Sequence, residues 1–207
     1  MQRSLLWKTL QVPAWILSTV LFDLKAYGIE NVPATGGVLL VANHQSFLDP
    51  VLVAVKLRRP VSYMARSDLF EGRFGGWLLR ALHAFPVRRG EGDIGALRRC
   101  IARLEEGYAL NVYPEGTRTQ DGTIGPLQKG IGIVLRKTDV PVIPVAIDGS
   151  MYAWHRNSKS LQSYPVRIMY GKPLYFKDIP PNQMLETLRN SMVNLLDELK
   201  STRGVDR

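Results

Sequence analysis

Cysteine is almost missing from this chain, which has one cysteine and three histidines in 207 residues. The single thiol, Cys100, excludes an intramolecular disulfide, and the sequence contains neither a CxxC pair nor an HxxxH pair. The sequence therefore predicts no structural metal site and is typical of a protein from a reducing compartment. Cys100 stands at helical spacing from Leu97 and Leu104, which favours a place in the core over a nucleophilic role.

Long hydrophobic runs are also scarce. The most apolar stretch, LLWKTLQVPAWILSTVLFDLK, is free of charge only over residues 9 to 22, and these 14 positions are fewer than the about 20 that a spanning helix needs. No small-residue cleavage site follows, so neither a transmembrane helix nor a secretory signal is predicted. Residues 1–24 either form an interfacial helix on a membrane, which Trp7 and Trp15 would suit, or a helix packed on the domain. Pro13 is expected to kink or restart that helix in either case.

Acidic residues are outnumbered, because 27 Lys plus Arg stand against 18 Asp plus Glu and give a net charge of +9. This sign favours anionic partners, among which nucleic acid, an anionic membrane surface and phosphorylated or CoA-like molecules are all consistent. The chain lacks RNP, KH and helix-turn-helix signatures, so a nucleic-acid-binding module stays only a remote alternative and no nucleic-acid partner is expected. The 45% hydrophobic and 22% charged residues are typical of one globular domain. We expect that domain over residues 25–207, after the N-terminal segment 1–24.

Apolar runs that suit strands alternate with helical patterns along the chain. GGVLLVANH, PVSYMA, FPVRRG and ALNVYPEG each predict a strand that enters a loop, and a helix is predicted to begin near Asp49. Residues 94–106 and 182–200 have apolar positions at helical spacing. VPVIPVAI indicates another strand, although its two prolines disfavour a regular central ladder. The predicted fold is α/β, a single domain with a mixed, mostly parallel sheet flanked by helices, preceded by a short membrane-associating helix.

The loop NHQSFLD carries the first candidate for chemistry. Histidine is the side chain that titrates near neutral pH, so His44 is a candidate general base, and Asp49 could hold one ring nitrogen while the other accepts a proton. No protein nucleophile accompanies this pair, since Ser46 lies in no GxSxG elbow. The hydroxyl to be activated would then belong to the substrate. In the alternative interpretation, Asp49 is only a helix N-cap and His44 an ordinary loop histidine.

A second polar loop, YPEGTRT, follows the strand ALNV. Glu115, Gly116, Thr117 and Arg118 offer a carboxylate, an accessible backbone N–H, a hydroxyl and a guanidinium, a set that can clamp a phosphate and a neighbouring hydroxyl. Arg88 and Arg89, after another strand, could meet the same anion, although a basic pair by itself is more typical of a solvated face.

Taken together, the loops resemble the conserved boxes of the glycerolipid acyltransferases of the lysophosphatidic acid acyltransferase type. NHQSFLD resembles the NHxxxxD box, FPVRR the second box ending in arginine, YPEGTRT the FPEGTR box, and VPVIPVAI the fourth box. The four occur in the family's order over about residues 25–176. Tyr113 departs from the phenylalanine common in the third box, and His83 from the glycine common in the second.

The resemblance implies transfer of a fatty acyl group from a CoA or acyl carrier protein thioester to the free hydroxyl of a lysophospholipid, first of all 1-acylglycerol 3-phosphate. His44 would deprotonate that hydroxyl and Asp49 would orient His44. The acceptor's glycerol phosphate would be held by Arg89, Glu115, Gly116, Thr117 and Arg118. The resemblance also implies no cofactor, no metal, and a peripheral or monotopic place on the cytoplasmic face of a membrane. Glycerol 3-phosphate or another lysophospholipid as acceptor, or a phospholipid donor in a remodelling transacylase, would use the same base and stay open.

Overall fold

The apolar runs of the sequence form the strands of one seven-stranded sheet. The computed structural model describes residues 5–87, 94–155, 157–158 and 160–203. The strands are β1 (Lys25–Tyr27), β2 (Val38–Ala42), β3 (Val61–Arg66), β4 (Ala84–Val87), β5 (Ala109–Val112), β6 (Val142–Asp148) and β7 (Arg167–Tyr170). The α-helices of the described ranges are α1 (Leu5–Phe22), α2 (Asp49–Val55), α3 (Arg73–Ala81), α4 (Ile94–Glu105), α5 (Lys129–Lys137), α6 (Ser150–Ala153) and α7 (Met184–Thr202).

The sheet has the strand order β1-β7-β6-β2-β5-β3-β4, and its neighbours run parallel except β6 with β7. This confirms the predicted mixed, mostly parallel α/β sheet. In the middle, β6, β2 and β5 lie side by side and point the same way. Their carboxyl ends therefore meet at one edge, which is where sites form in sheets of this kind.

Helices cover both faces of the sheet, which explains why β2 is apolar at every position rather than at alternate ones. Leu39 and Val41 face the core beneath α4, α5 and α7. Val38, Leu40 and Ala42 face the core beneath α1 and α2. Cys100 is buried in the first of these cores, as its spacing predicted.

The expectation that two prolines disfavour a central ladder is wrong for β6, which pairs with β2 on one side and β7 on the other. Pro141 precedes the strand, so Pro144 is the proline inside it. The N and C=O groups of one strand residue point to the same side, and the Pro144 carbonyl accepts the N–H of Gly171, directly after β7 ends. The missing donor of Pro144 thus faces the place where β7 stops, and the ladder with β2 does not depend on it.

The N-terminal helix predicted for residues 1–24 is present as α1, which runs through Pro13 without restarting. It packs on α2, and the Gln11 side chain donates to the carbonyls of Val55 and Leu57 at 2.9 and 2.7 Å. Its other side exposes large apolar side chains, namely Leu10, Val12, Trp15, Ile16, Leu17 and Val20. Within the described ranges, no helix has the length and apolar character needed to cross a membrane.

Candidate active site

The loop after β2 brings Asp49 back to His44. The Nδ1 atom of His44 lies 2.8 Å from Oδ2 of Asp49, and the aspartate side chain is fully buried while that of His44 is 20% exposed. An imidazole that donates from Nδ1 to a carboxylate carries its accepting lone pair on Nε2. The pair thus has the arrangement of a base and its orienting group.

The Asp49 carboxylate is held by further donors. Its Oδ2 atom also accepts the backbone N–H groups of Gln45 and Ser46 at 2.6 and 2.7 Å, and its Oδ1 atom accepts the Ser150 hydroxyl at 2.6 Å. Leu48, not Asp49, occupies the N-cap position of α2. Asp49 is therefore fixed by its own loop and by α6, and its contact with His44 goes beyond helix capping.

Asn43, the first residue after β2, links this loop to β6. Its side-chain amide donates to the carbonyl of Ile147 at 2.9 Å and accepts the N–H of the same residue at 2.7 Å, so it continues the ladder beyond the end of β2. Asn43 is fully buried. Because a buried amide must keep both partners, this bridge fixes the end of β6 beside the NHQSFLD loop.

Tyr113, directly after β5, stacks on the His44 ring with 4.0 Å between centroids and 21° between planes. Burial, with a smaller contribution from the Asp49 carboxylate, raises the pKa of the Tyr113 hydroxyl well above its ordinary value. Tyr113 is therefore neutral at physiological pH and supports the imidazole as a flat apolar surface.

Glu115 belongs to the YPEGTRT loop, and the residue is only 7% exposed. Its Oε1 atom accepts the backbone N–H of His44 at 3.1 Å and its Oε2 atom accepts that of Gly125 at 2.9 Å. Burial raises the pKa of this carboxyl, and the two backbone N–H groups partly offset the increase. Glu115 joins the loop that carries His44 to the loop that precedes α5.

The residues that follow Glu115 in the loop are more exposed than Glu115 itself. Gly116 and Thr117 are exposed, and the Arg118 guanidinium carbon lies 3.6 Å above the centroid of the Phe47 ring. The next residue, Thr119, donates its N–H to the His44 carbonyl at 2.7 Å. Gly116 and Thr117 are thus at the surface and Arg118 is half-buried, all directly beside the loop of the candidate base.

Arg89, the other predicted anion ligand, lies outside the described residues. In the part of the chain that the structure describes, no group of three or more His, Cys, Asp or Glu side chains is placed to hold a metal ion. The expectation that the reaction needs neither metal nor cofactor stays a prediction.

Two residues of the site were missed from the sequence. Phe47 of the NHQSFLD loop makes a cation–π contact with Arg118, and the sequence motif assigns it no role. Its aromatic side chain was the available signal. Ser150 reaches Asp49 from 101 positions away, and its sequence signal is weak: a Gly-Ser pair one residue after the apolar run VPVIPVAI.

A histidine oriented by a buried carboxylate, with a guanidinium stacked on Phe47 of the same loop and no nucleophilic elbow, is suited to activating a substrate hydroxyl next to an anionic group. The chain belongs to the Acyltransferase family, whose model matches residues 23–148. The resemblance found in the four sequence boxes is confirmed, and with it the expected class of enzyme, an acyltransferase.

Individual relatives agree with this membership. The chain is 30% identical to the chloroplastic 1-acyl-sn-glycerol-3-phosphate acyltransferase BAT2 of Brassica napus over 152 residues, which are 72% of this chain but 44% of that protein. It is 26% identical to the 1-acyl-sn-glycerol-3-phosphate acyltransferase of Bacillus subtilis, with 86% and 88% of the two chains covered. The crystal structure of the 1-acyl-sn-glycerophosphate (LPA) acyltransferase PlsC from Thermotoga maritima matches with a TM-score of 0.82 and 27% identity, over 93% of this chain and 79% of that one. This chain thus spans less than half of the plant relative's length and most of the bacterial ones.

Proposed function

We propose that this protein transfers a fatty acyl group from an acyl thioester, of CoA or of acyl carrier protein, to the free hydroxyl of 1-acyl-sn-glycerol 3-phosphate, giving phosphatidic acid. The observation that carries the proposal is the 2.8 Å contact between His44 and the buried Asp49. The nearby Ser46 is fully buried and its hydroxyl donates to the Trp154 carbonyl, so it is occupied structurally. The names of the relatives support the choice of acceptor.

In the proposed reaction, Nε2 of His44 takes the proton of the acceptor hydroxyl while its oxygen attacks the thioester carbonyl carbon. The tetrahedral intermediate then collapses, the C–S bond breaks, and the imidazolium returns the proton to the thiolate. Asp49 stabilises the transient positive charge on His44. General base catalysis of this kind contributes on the order of 10² to 10⁴ in rate, and the remainder comes from positioning and stabilisation of the oxyanion.

The acceptor's phosphate would meet the exposed part of the YPEGTRT loop. Arg118 supplies a planar guanidinium whose face rests on Phe47, and a guanidinium can donate paired hydrogen bonds to phosphate oxygens. Gly116 has a φ of 70° and no side chain, which lets a ligand approach the backbone closely. Thr117 would add a hydroxyl, and Arg89 a second cation.

The apolar side of α1 suits a lipid surface. Val12, Ile16, Leu17 and Val20 are each more than half exposed, and Phe47 exposes 57% of its surface beside Arg118. Exposed apolar side chains on a protein with a net charge of +9 are typical of proteins that lie on anionic membranes. We place the protein on the cytoplasmic face of a membrane, with α1 in contact with the lipid, so that the acceptor reaches His44 from the bilayer.

The test is thiol release in detergent from palmitoyl-CoA and, separately, from palmitoyl-acyl carrier protein. Each donor is offered with 1-acylglycerol 3-phosphate, glycerol 3-phosphate or lysophosphatidylcholine. We expect release with 1-acylglycerol 3-phosphate that is lost in His44→Ala and Asp49→Asn but kept in His155→Ala, which removes an exposed histidine. Turnover that survives His44→Ala would contradict the mechanism, and turnover with another acceptor alone would contradict the substrate.

A further inference from the structure

A serine of α6 completes the hydrogen bonding of the aspartate that orients His44. The Ser150 hydroxyl lies 2.6 Å from Oδ1 of Asp49, and both residues are fully buried. The same hydroxyl lies 3.4 Å from Oε1 of Gln45. Because a hydroxyl has one proton and a charged acceptor at a short distance is the stronger partner, Ser150 donates to Asp49.

The turn between β6 and α6 places Ser150 beside Asp49. β6 ends at Asp148, and Gly149 turns the chain with a φ of 95° so that α6 begins at Ser150. A Cβ atom at Gly149 would come within 2.3 Å of the Pro165 carbonyl oxygen, so the turn needs glycine. Since Asn43 ties the end of β6 to the start of the NHQSFLD loop, Ser150 and Asp49 are held in fixed relation.

We propose that Ser150 is a positioning residue of the acyl transfer, one that acts through Asp49 and does not touch the substrate. Oδ2 of Asp49 faces His44 and the backbone N–H groups of its own loop, whereas Oδ1 is turned towards α6. A donor on Oδ1 stops the carboxylate from rotating about its Cβ–Cγ bond and keeps Oδ2 directed at Nδ1. The inference rests on the proposed function, since it gives Ser150 a role only if His44 is the base.

The position also gives the fourth box a part in the site. The residues VPVIPVAI themselves have no titratable side chain. Their strand, β6, pairs with β2 and ends at Asp148, two residues before Ser150. The apolar run thus places Gly149 and Ser150 so that the Ser150 hydroxyl contacts Asp49.

The experiment compares four single variants in the thiol-release assay with purified full-length protein. Ser150→Ala removes the hydroxyl, while Ser150→Thr and Ser150→Val have nearly the same shape and differ in the hydroxyl alone. Ser62→Ala is the control, because Ser62 is an equally buried serine on β3 that has no part in the site. For each we measure kcat, the KM of the acceptor, the pH profile of kcat/KM and the thermal midpoint.

We expect kcat of Ser150→Ala to fall about tenfold, the rate equivalent of one hydrogen bond to a charged group. The KM of the acceptor should stay within about twofold, since the lost interaction does not bind substrate. Asp49 and Tyr113 lie against the His44 ring and Glu115 binds the backbone N–H of His44, and the substitution leaves all three in place. With Oδ1 deprived of its donor, more negative charge acts on the imidazolium, so the acid limb of the profile should move to higher pH.

Ser150→Thr should recover most of the lost kcat and Ser150→Val should not. Equal losses in the threonine and valine variants, or a Ser150→Ala protein that matches Ser62→Ala in kcat and pH profile, would overturn the inference even if the wild type transfers acyl groups by way of His44. If Ser150→Ala fails to fold, the threonine and valine pair decides. A wild type that shows no histidine-dependent transfer would instead refute the proposed function.

Discussion

Replacing Glu115 with alanine removes the acceptor of two backbone N–H groups that belong to separate loops. The carboxylate accepts the backbone N–H of His44 at 3.1 Å and that of Gly125 at 2.9 Å. Glu115 is only 7% exposed. Each buried donor left without a partner costs about 1–3 kcal/mol, from which the relieved desolvation of the carboxylate must be subtracted. We expect a net loss of about 2–4 kcal/mol in the free energy of unfolding. For a chain of this size, that corresponds to a fall of roughly 5–15 °C in Tm.

The assay is thermal unfolding by circular dichroism, run beside steady-state kinetics. Glu115→Ala should lower both Tm and kcat, because the loop of His44 loses a support, and Glu115→Gln should lie between it and the wild type, since one oxygen remains. Glu105→Ala, at an exposed position of α4, is the matched control and should leave Tm unchanged within about 1 °C. An unchanged Tm in Glu115→Ala together with a raised KM for the acceptor would refute this reasoning and would favour the substrate-binding role that the sequence predicts for Glu115.

Three further outcomes are expected. Burial raises the pKa of Glu115, so the contribution of Glu115 to stability is full below the ordinary pKa of a glutamate and declines as pH rises through the folded-state pKa. The difference in the free energy of unfolding between wild type and Glu115→Gln should therefore be larger at about pH 4 than at pH 7. A difference that grows with rising pH would contradict this. Asn43→Ala leaves the N–H and C=O groups of Ile147 without their partner and should lower Tm by roughly 5–15 °C, whereas Asn190→Ala on the exposed side of α7 should not. Arg118→Ala should raise the KM of a phosphorylated acceptor about tenfold or more while Arg136→Ala, an exposed arginine of α5, leaves it unchanged; equal KM values in the two variants would remove Arg118 from the phosphate site.

Much of the fold could be predicted from pattern. β2 lies at its continuous apolar run, α2 begins at the Asp49-Pro50 pair that indicated a helix start, and α7 has the apolar stripe that its periodicity predicted. β1 was not predicted, because its three half-buried residues are too few to show a period. The prolines of VPVIPVAI led to a wrong expectation for β6. Whether a proline's missing N–H interrupts a ladder depends on which neighbouring strand that side of the residue faces, and the sequence does not show this.

The candidate site divides in the same way. His44 and Asp49 are close in sequence, so a single turn can join them and the spacing alone suggested the pair. The YPEGTRT loop was predicted as one set, yet the structure separates a buried Glu115 from the exposed Gly116 and Thr117. Burial is decided by what packs above a residue, and that information is absent from a local motif.

The class of fold, the alternation of most strands and helices, and the residue types available for acid-base chemistry all follow from the amino-acid sequence, because binary patterning and short motifs are local properties. Which groups meet depends on the three-dimensional fold. The contacts of Ser150 with Asp49, of Asn43 with Ile147 and of Glu115 with His44 join positions 101, 104 and 71 residues apart. Such contacts exist because β5, β2 and β6 lie side by side in one register, and hydrogen bonds depend on tenths of an ångström that strand pairing sets and sequence spacing does not.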